Sequence, residues 1–136
     1  MNNPLYIPHS SIEWKGMTRE QNDPRFVQFK YVEYGFCAAF LLFFHYRKKY
    51  GCNTIRQFIS VWGSPYSIKV DYLSRYVSLL CGYPEDKPIA GYDLNTFIDL
   101  MAALSYAINN RVYSRRRICY GLWYAIRYRD KVDILA

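Results

Sequence analysis

The run from Lys30 to Tyr50 constrains this chain more than any other stretch, because it is long, apolar and free of proline. Val32, Phe36, Ala39, Phe40, Phe43, Phe44 and Tyr50 recur at three- and four-residue spacing, which sets them on one side of a helix. Leu41 and Leu42 extend the apolar surface around the cylinder, so the helix is expected to be covered on more than one face. It should start near Tyr31 and end by Tyr50. Gly51 supplies the stop, after Arg47, Lys48 and Lys49, which favour the negative end of the helix dipole. Its apolar centre, Phe36 to Phe44, is too short to cross a bilayer, which takes about 20 residues. Gly35 inside the helix costs about 1 kcal/mol against alanine. Such a glycine points to a close approach by another segment, here expected from the hairpin or Trp14.

Around this helix the sequence predicts a mostly helical, loosely α+β domain: a short N-terminal β-hairpin packed on about five helices, a layout compatible with a lysozyme-like arrangement. One domain over residues 1–136 is expected, with loop and hairpin at 1–29, a helical body at 30–128 and a polar tail at 129–136. Pro4 and Pro8 keep the start out of helix. Ile12 to Lys15 and Phe26 to Phe29 both alternate apolar and polar residues and would form the hairpin. Thr54 with Gln57 reads as a capping box opening a short helix to about Val61, with Ile55, Phe58, Ile59 and Trp62 on one stripe. Gly63-Ser64-Pro65 breaks it. A helix from about Ser67 to Val70 as far as Leu80 follows, with Val70, Leu73, Val77 and Leu80 as its apolar row and Gly82 as its end. Asp93 caps Leu94 to Ile108, closed by Asn109-Asn110. Ser114 caps a last helix from Arg115 to about Arg127.

Composition enters where it limits function. Net charge is +7 and 15 of 136 residues are tyrosine. A basic, ring-rich chain suits an acidic partner: nucleic acid, an acidic cell-wall polymer or an anionic membrane surface. The plain alternative is a solvated basic face. Cys37, Cys52, Cys81 and Cys119 share no C-x-x-C spacing and read as reduced thiols. No basic region followed by an apolar run opens the chain, so it is expected to lack a signal peptide and to be made in the cytoplasm, with a virion as a further destination.

Cues for catalysis are few. No Walker loop, zinc-protease or nucleophile-elbow motif appears, and no metal or cofactor is expected. His9 and His45 read as loop and helix-edge residues. Glu33 is the one carboxylate at the start of the apolar helix, beside the expected hairpin. There a carboxyl against apolar walls would serve as the general acid of a peptidoglycan hydrolase. Trp14 and Trp62 would then stack on sugar rings, although both also suit a core. The alternative role for Glu33 is complementing the helix N-terminus or pairing with Lys30. Arg115, Arg116 and Arg117, followed by Tyr120, Tyr124, Arg127 and Tyr128, form a basic and aromatic cluster of the kind that holds phosphates and stacks bases. Three arginines in a first turn also oppose the helix dipole, a local conflict of the sort found at functional surfaces.

Asn2-Asn3-Pro4 with Ile7, Trp14-Lys15-Gly16, Phe26 with Phe29, Glu33-Tyr34-Gly35 with Ala38-Ala39, Thr54, Ile59, Trp62, Pro65, Tyr72 and Val77 stand in an order and spacing of their own. They resemble a family of small phage and prophage proteins named as structural proteins, over roughly residues 2–114. The chain departs from that family at Leu5-Tyr6, at Cys37 where an arginine is usual, and at Gly63-Ser64-Pro65. At Ala107-Ile108-Asn109-Asn110 a carboxylate has become Ile108. The resemblance implies a retained scaffold with a changed site. It therefore implies a structural or virion-associated protein that binds other particle proteins, further copies of itself or an acidic polymer. Trp14, Trp62, Tyr72 and Arg115 to Arg117 are its candidate binding residues. The alternatives are the hydrolase using Glu33 and a nucleic-acid-binding accessory protein using the arginine cluster.

Overall fold

The computed structural model describes residues 1–64 and 68–130, and among these it forms five helices in the order α1 (Val32–Tyr50), α2 (Ile55–Gly63), α3 (Val70–Cys81), α4 (Leu94–Asn109) and α5 (Arg115–Tyr128). The predicted break at Pro65, the start at Ser67 and most of the polar tail lie outside the described residues. The chain divides into two compact units, one of Met1–Phe44 with the residues from Tyr113 on, the other of His45–Val112. None of the five helices is long and apolar enough to span a membrane among the described residues.

Caps set the boundaries where the sequence placed them. The Thr54 hydroxyl accepts from the Gln57 N–H at 3.1 Å, while the Gln57 side chain reaches back to the Asn53 N–H at 2.8 Å, one residue beyond the reciprocal bond of a capping box. Asp93 accepts from Thr96 N–H and Ser114 from Arg117 N–H. Gly82 and Asn110 end α3 and α4 in the left-handed conformation, each donating its N–H back into the helix.

The predicted hairpin is absent. Among the described residues there is no sheet, and the first thirty residues hold only isolated antiparallel bridges, Pro8 with Phe26 and Met17 with Phe29. The expected partner strand, Ile12 to Lys15, is flanked by these bridges and is not part of them. A few backbone bonds, such as Val27 N–H to the Ile7 carbonyl at 3.0 Å and Lys30 N–H to the Gly16 carbonyl at 2.9 Å, are supplemented by side chains instead of growing into a ladder. Asn3 donates to the carbonyls of Ile7 and Val27, both at 2.9 Å, and accepts from Ile7 N–H at 2.8 Å. Gln21 bonds both the N–H and the carbonyl of Gln28, and the Asp23 carboxylate accepts from Arg25 and Phe26 N–H. Polar side chains that bond nearby backbone compete with strand pairing in this way. The alternation at Ile12 to Lys15 comes from Trp14 being buried between exposed neighbours, not from a pleat. A hairpin packed on helices therefore does not describe this chain.

In the first unit, α1 buries Val32, Phe36, Cys37, Ala38, Ala39, Phe40, Leu41 and Phe43, a span that goes around the cylinder as its sequence requires. In the second unit, α3 packs against both α2 and α4. Phe58 of α2 meets Phe97 of α4 edge-on at 5.7 Å. The apolar row of α3 differs from expectation: Leu73, Ser74 and Val77 are buried, Val70 is half-buried and Leu80 is exposed. Arg56 on α2 ties the loop after α3 to its own helix, bonding Glu85 at 2.9 Å and pairing with Asp71 and Asp86.

Candidate functional site

The start of α1 is a packing junction. Its glycine at position 35 carries the Asn2–Pro4 segment: a Cβ there would stand 2.1 Å from the Asn2 carbonyl oxygen and 2.7 Å from Pro4 Cδ. The approaching segment is thus the extreme N-terminus, not Trp14 or the stretches expected to form the hairpin. Asn2 is fixed in turn by donating to the carbonyls of Phe29 and Lys30, at 3.2 and 3.1 Å. Tyr34 lies over Gly16, whose φ of +79° and proximity to the ring both require glycine. On its other side Tyr34 stacks on Tyr124 of α5, with ring centroids 5.5 Å apart. Gly121 lets α5 approach the Glu33–Cys37 turn: a Cβ would meet Phe36 Cβ at 2.5 Å. Asn2, Pro4, Gly16, Phe29, Tyr34 and Gly35, far apart in sequence, meet here as neighbours.

Glu33 itself is half-buried at this junction. A cleft of about 390 Å³ opens nearby, and its lining includes Glu13, Lys15, Lys30 and Tyr34 but not Glu33. Trp14 also borders the cleft, yet its side chain is buried and its indole N–H has no hydrogen-bond partner among the described residues. Trp62 is likewise buried, in the second unit. Tyr72 is exposed on α3, one turn from Tyr76 with ring centroids 6.5 Å apart, and Leu79 continues that outward row. Glu33, Trp14, Trp62 and Tyr72 are therefore not gathered into one site within either unit.

α5 assembles a different set. Arg116, Tyr120, Trp123 and Arg127 follow one another at helical spacing and are all exposed, while Ile118, Gly121, Leu122 and Ala125 are buried beneath them. The Arg116 guanidinium lies over the Tyr120 ring at 5.7 Å and that of Arg127 over Trp123 at 4.6 Å. Trp123 also packs on Tyr124, centroids 5.3 Å apart. An apolar groove of about 380 Å³ runs between Arg116, Cys119, Tyr120 and Trp123. Arg115 and Arg117 are exposed too, but successive helical residues fan out by about 100°, so only Arg116 of the three shares this stripe. Tyr120 and Arg127 stood in the predicted basic cluster; Trp123 did not. Applying the helical period to the rings and arginines, rather than to the aliphatic residues alone, would have found the stripe.

The remaining chemistry-bearing groups are dispersed. His9 Nε2 donates to the Asp23 carbonyl at 2.7 Å. His45 sits beside Tyr46 and Tyr50, and its imidazole is held below the ordinary range by burial, with Lys49 and Lys48 adding to the effect. The four cysteines are free, and burial pushes the Cys37 thiol up to about 12. No cluster of three or more His, Cys, Asp or Glu side chains with metal-binding geometry occurs among the described residues. No protein-family model matches the chain, and no curated protein matches it.

Proposed function

We propose that the protein works by binding rather than by catalysis, as a phage- or prophage-derived structural or virion-associated protein whose α5 face meets an acidic partner. The observation that carries this reading is the stripe of Arg116, Tyr120, Trp123 and Arg127. Trp123 is 50% exposed, although the other two tryptophans are buried. Exposed tryptophan and arginine side by side are the residue types that dominate binding surfaces. The helix holds four arginines and no carboxylate, so its field favours an anionic partner. Arginines in its first turn weaken the helix against its own dipole, a cost that a bound anion would offset. The particle setting is supported by the order and spacing of the motifs from Asn2 to Val77. The test is quantification of the protein in purified particles. The wild type should be present at a fixed copy number, and Arg116→Ala/Trp123→Ala/Arg127→Ala, folded by circular dichroism, should be depleted. Absence of the wild type from particles would overturn the virion reading. Release of soluble fragments from purified peptidoglycan by the wild type would overturn binding without catalysis.

A further inference from the structure

We infer that the α5 stripe binds single-stranded nucleic acid, with unpaired bases stacking on Trp123 and Tyr120 and phosphates held by Arg116 and Arg127. The inference rests on the binding role of this face and names its partner.

Two rings stand between two cations along the stripe, Arg116, Tyr120, Trp123, Arg127, over about 16 Å of helix at 1.5 Å per residue. Each arginine lies over its own ring, Arg116 over Tyr120 and Arg127 over Trp123, so a strand can lay neighbouring bases on the two rings with its phosphates toward the flanking arginines. Base stacking on protein rings is tolerant of sequence because every base has a π face, and a basic groove tracks the backbone. A duplex leaves the two rings unused, since its bases are already stacked on one another.

Other occupants fit less well. A second copy docked antiparallel on this stripe would bring Arg116 against Arg127 with no carboxylate on either helix to separate them. An anionic membrane surface rewards helices that turn an aliphatic face outward. Here Ile118 and Leu122 face inward, and Ile126, at 38% exposed, is the outward aliphatic residue of the helix. A ring-free polyanion would use the arginines and leave Trp123 idle.

Because Trp14 and Trp62 are 4% and 5% exposed, Trp123 is the tryptophan a stacked base reaches, and its emission reports the contact directly. The full chain is titrated with oligothymidylate, oligouridylate, a duplex of equal length, inorganic polyphosphate and phosphatidylglycerol vesicles. Both single strands should bind and quench the emission, and should bind more tightly than the duplex. A clear preference between the two strands identifies DNA or RNA as the source without changing the chemistry. Trp123→Ala should weaken single-strand binding about 5- to 100-fold and leave polyphosphate binding unchanged, and Trp123→Phe should restore part of the loss. Arg116→Ala and Arg127→Ala should each lower the slope of log affinity against log salt by about 0.7. Binding of polyphosphate or vesicles as tightly as single strands, or unchanged single-strand affinity in Trp123→Ala, overturns the inference and leaves an acidic partner of another kind. Absence of binding to every probe removes the acidic partner as well.

Discussion

Replacing Gly35 with alanine tests the junction that organises the first unit. In an unobstructed helix this change stabilises by about 1 kcal/mol, because alanine loses less backbone entropy than glycine. At position 35 the new Cβ would lie 2.1 Å from the Asn2 carbonyl oxygen and 2.7 Å from Pro4 Cδ. Backbone and a proline ring do not rotate aside, so the Asn2–Pro4 segment must lift off α1. Lifting breaks the two bonds from Asn2 to Phe29 and Lys30, worth about 0.5–1 kcal/mol each. Forced overpacking adds about 1–3 kcal/mol. After the gain in helix propensity, the net loss is about 2 kcal/mol. With a urea dependence of about 2 kcal/mol per molar, the midpoint should fall by about 1 M. Far-UV circular dichroism in a urea titration measures it. Gly51→Ala serves as the contrast, because nothing lies within 4 Å of that site and only its φ of +68° opposes a side chain. An unchanged or raised midpoint in Gly35→Ala would refute the close approach.

Other outcomes follow from single contacts. Thr54→Ala removes the bond to Gln57 N–H and should cost about 1 kcal/mol in the same titration. Burial holds the His45 imidazole below its ordinary value of 6.5, so just below that pH the unfolded chain binds more protons than the folded one. Stability should therefore be full above pH 6.5 and decline as the pH falls through it, a slope that His45→Gln should flatten in urea midpoints taken at several pH values. Cys37 and Cys52 are buried whereas Cys81 and Cys119 are half-buried. Native protein treated with a maleimide should label at the latter pair first, as read by peptide mass spectrometry; rapid labelling of Cys37 would contradict its burial.

The helices were legible because their ends are written locally. Thr54, Asp93, Ser114, Gly82 and Asn110 each act within a few residues, so no distant partner has to be known. The N-terminal segment was not legible for the opposite reason. Its backbone is satisfied partly by scattered backbone bonds and partly by Asn3, Gln21 and Asp23, and the span from Asn3 to Val27 leaves no periodic trace in the sequence. Gly35 announced that something approached closely, but not that it was Asn2 and Pro4, which lie far away along the chain. On α3 the expected row ran one residue too far around the helix: Ser74 occupies the buried centre and Leu80 faces out. The candidate face was half legible. The arginines and tyrosines of α5 stood out, while Trp123 did not, and only the packing of Gly121 and Ala125 inward turns it to the surface.

Protection of Cys119 tests the central claim about α5 most directly. This thiol lies in the groove between Arg116, Tyr120 and Trp123. With saturating oligothymidylate, maleimide labelling of Cys119 should slow by at least about tenfold while Cys81 labels at its original rate. Unchanged labelling of Cys119 in protein shown to be bound would contradict the assignment of the binding face to α5.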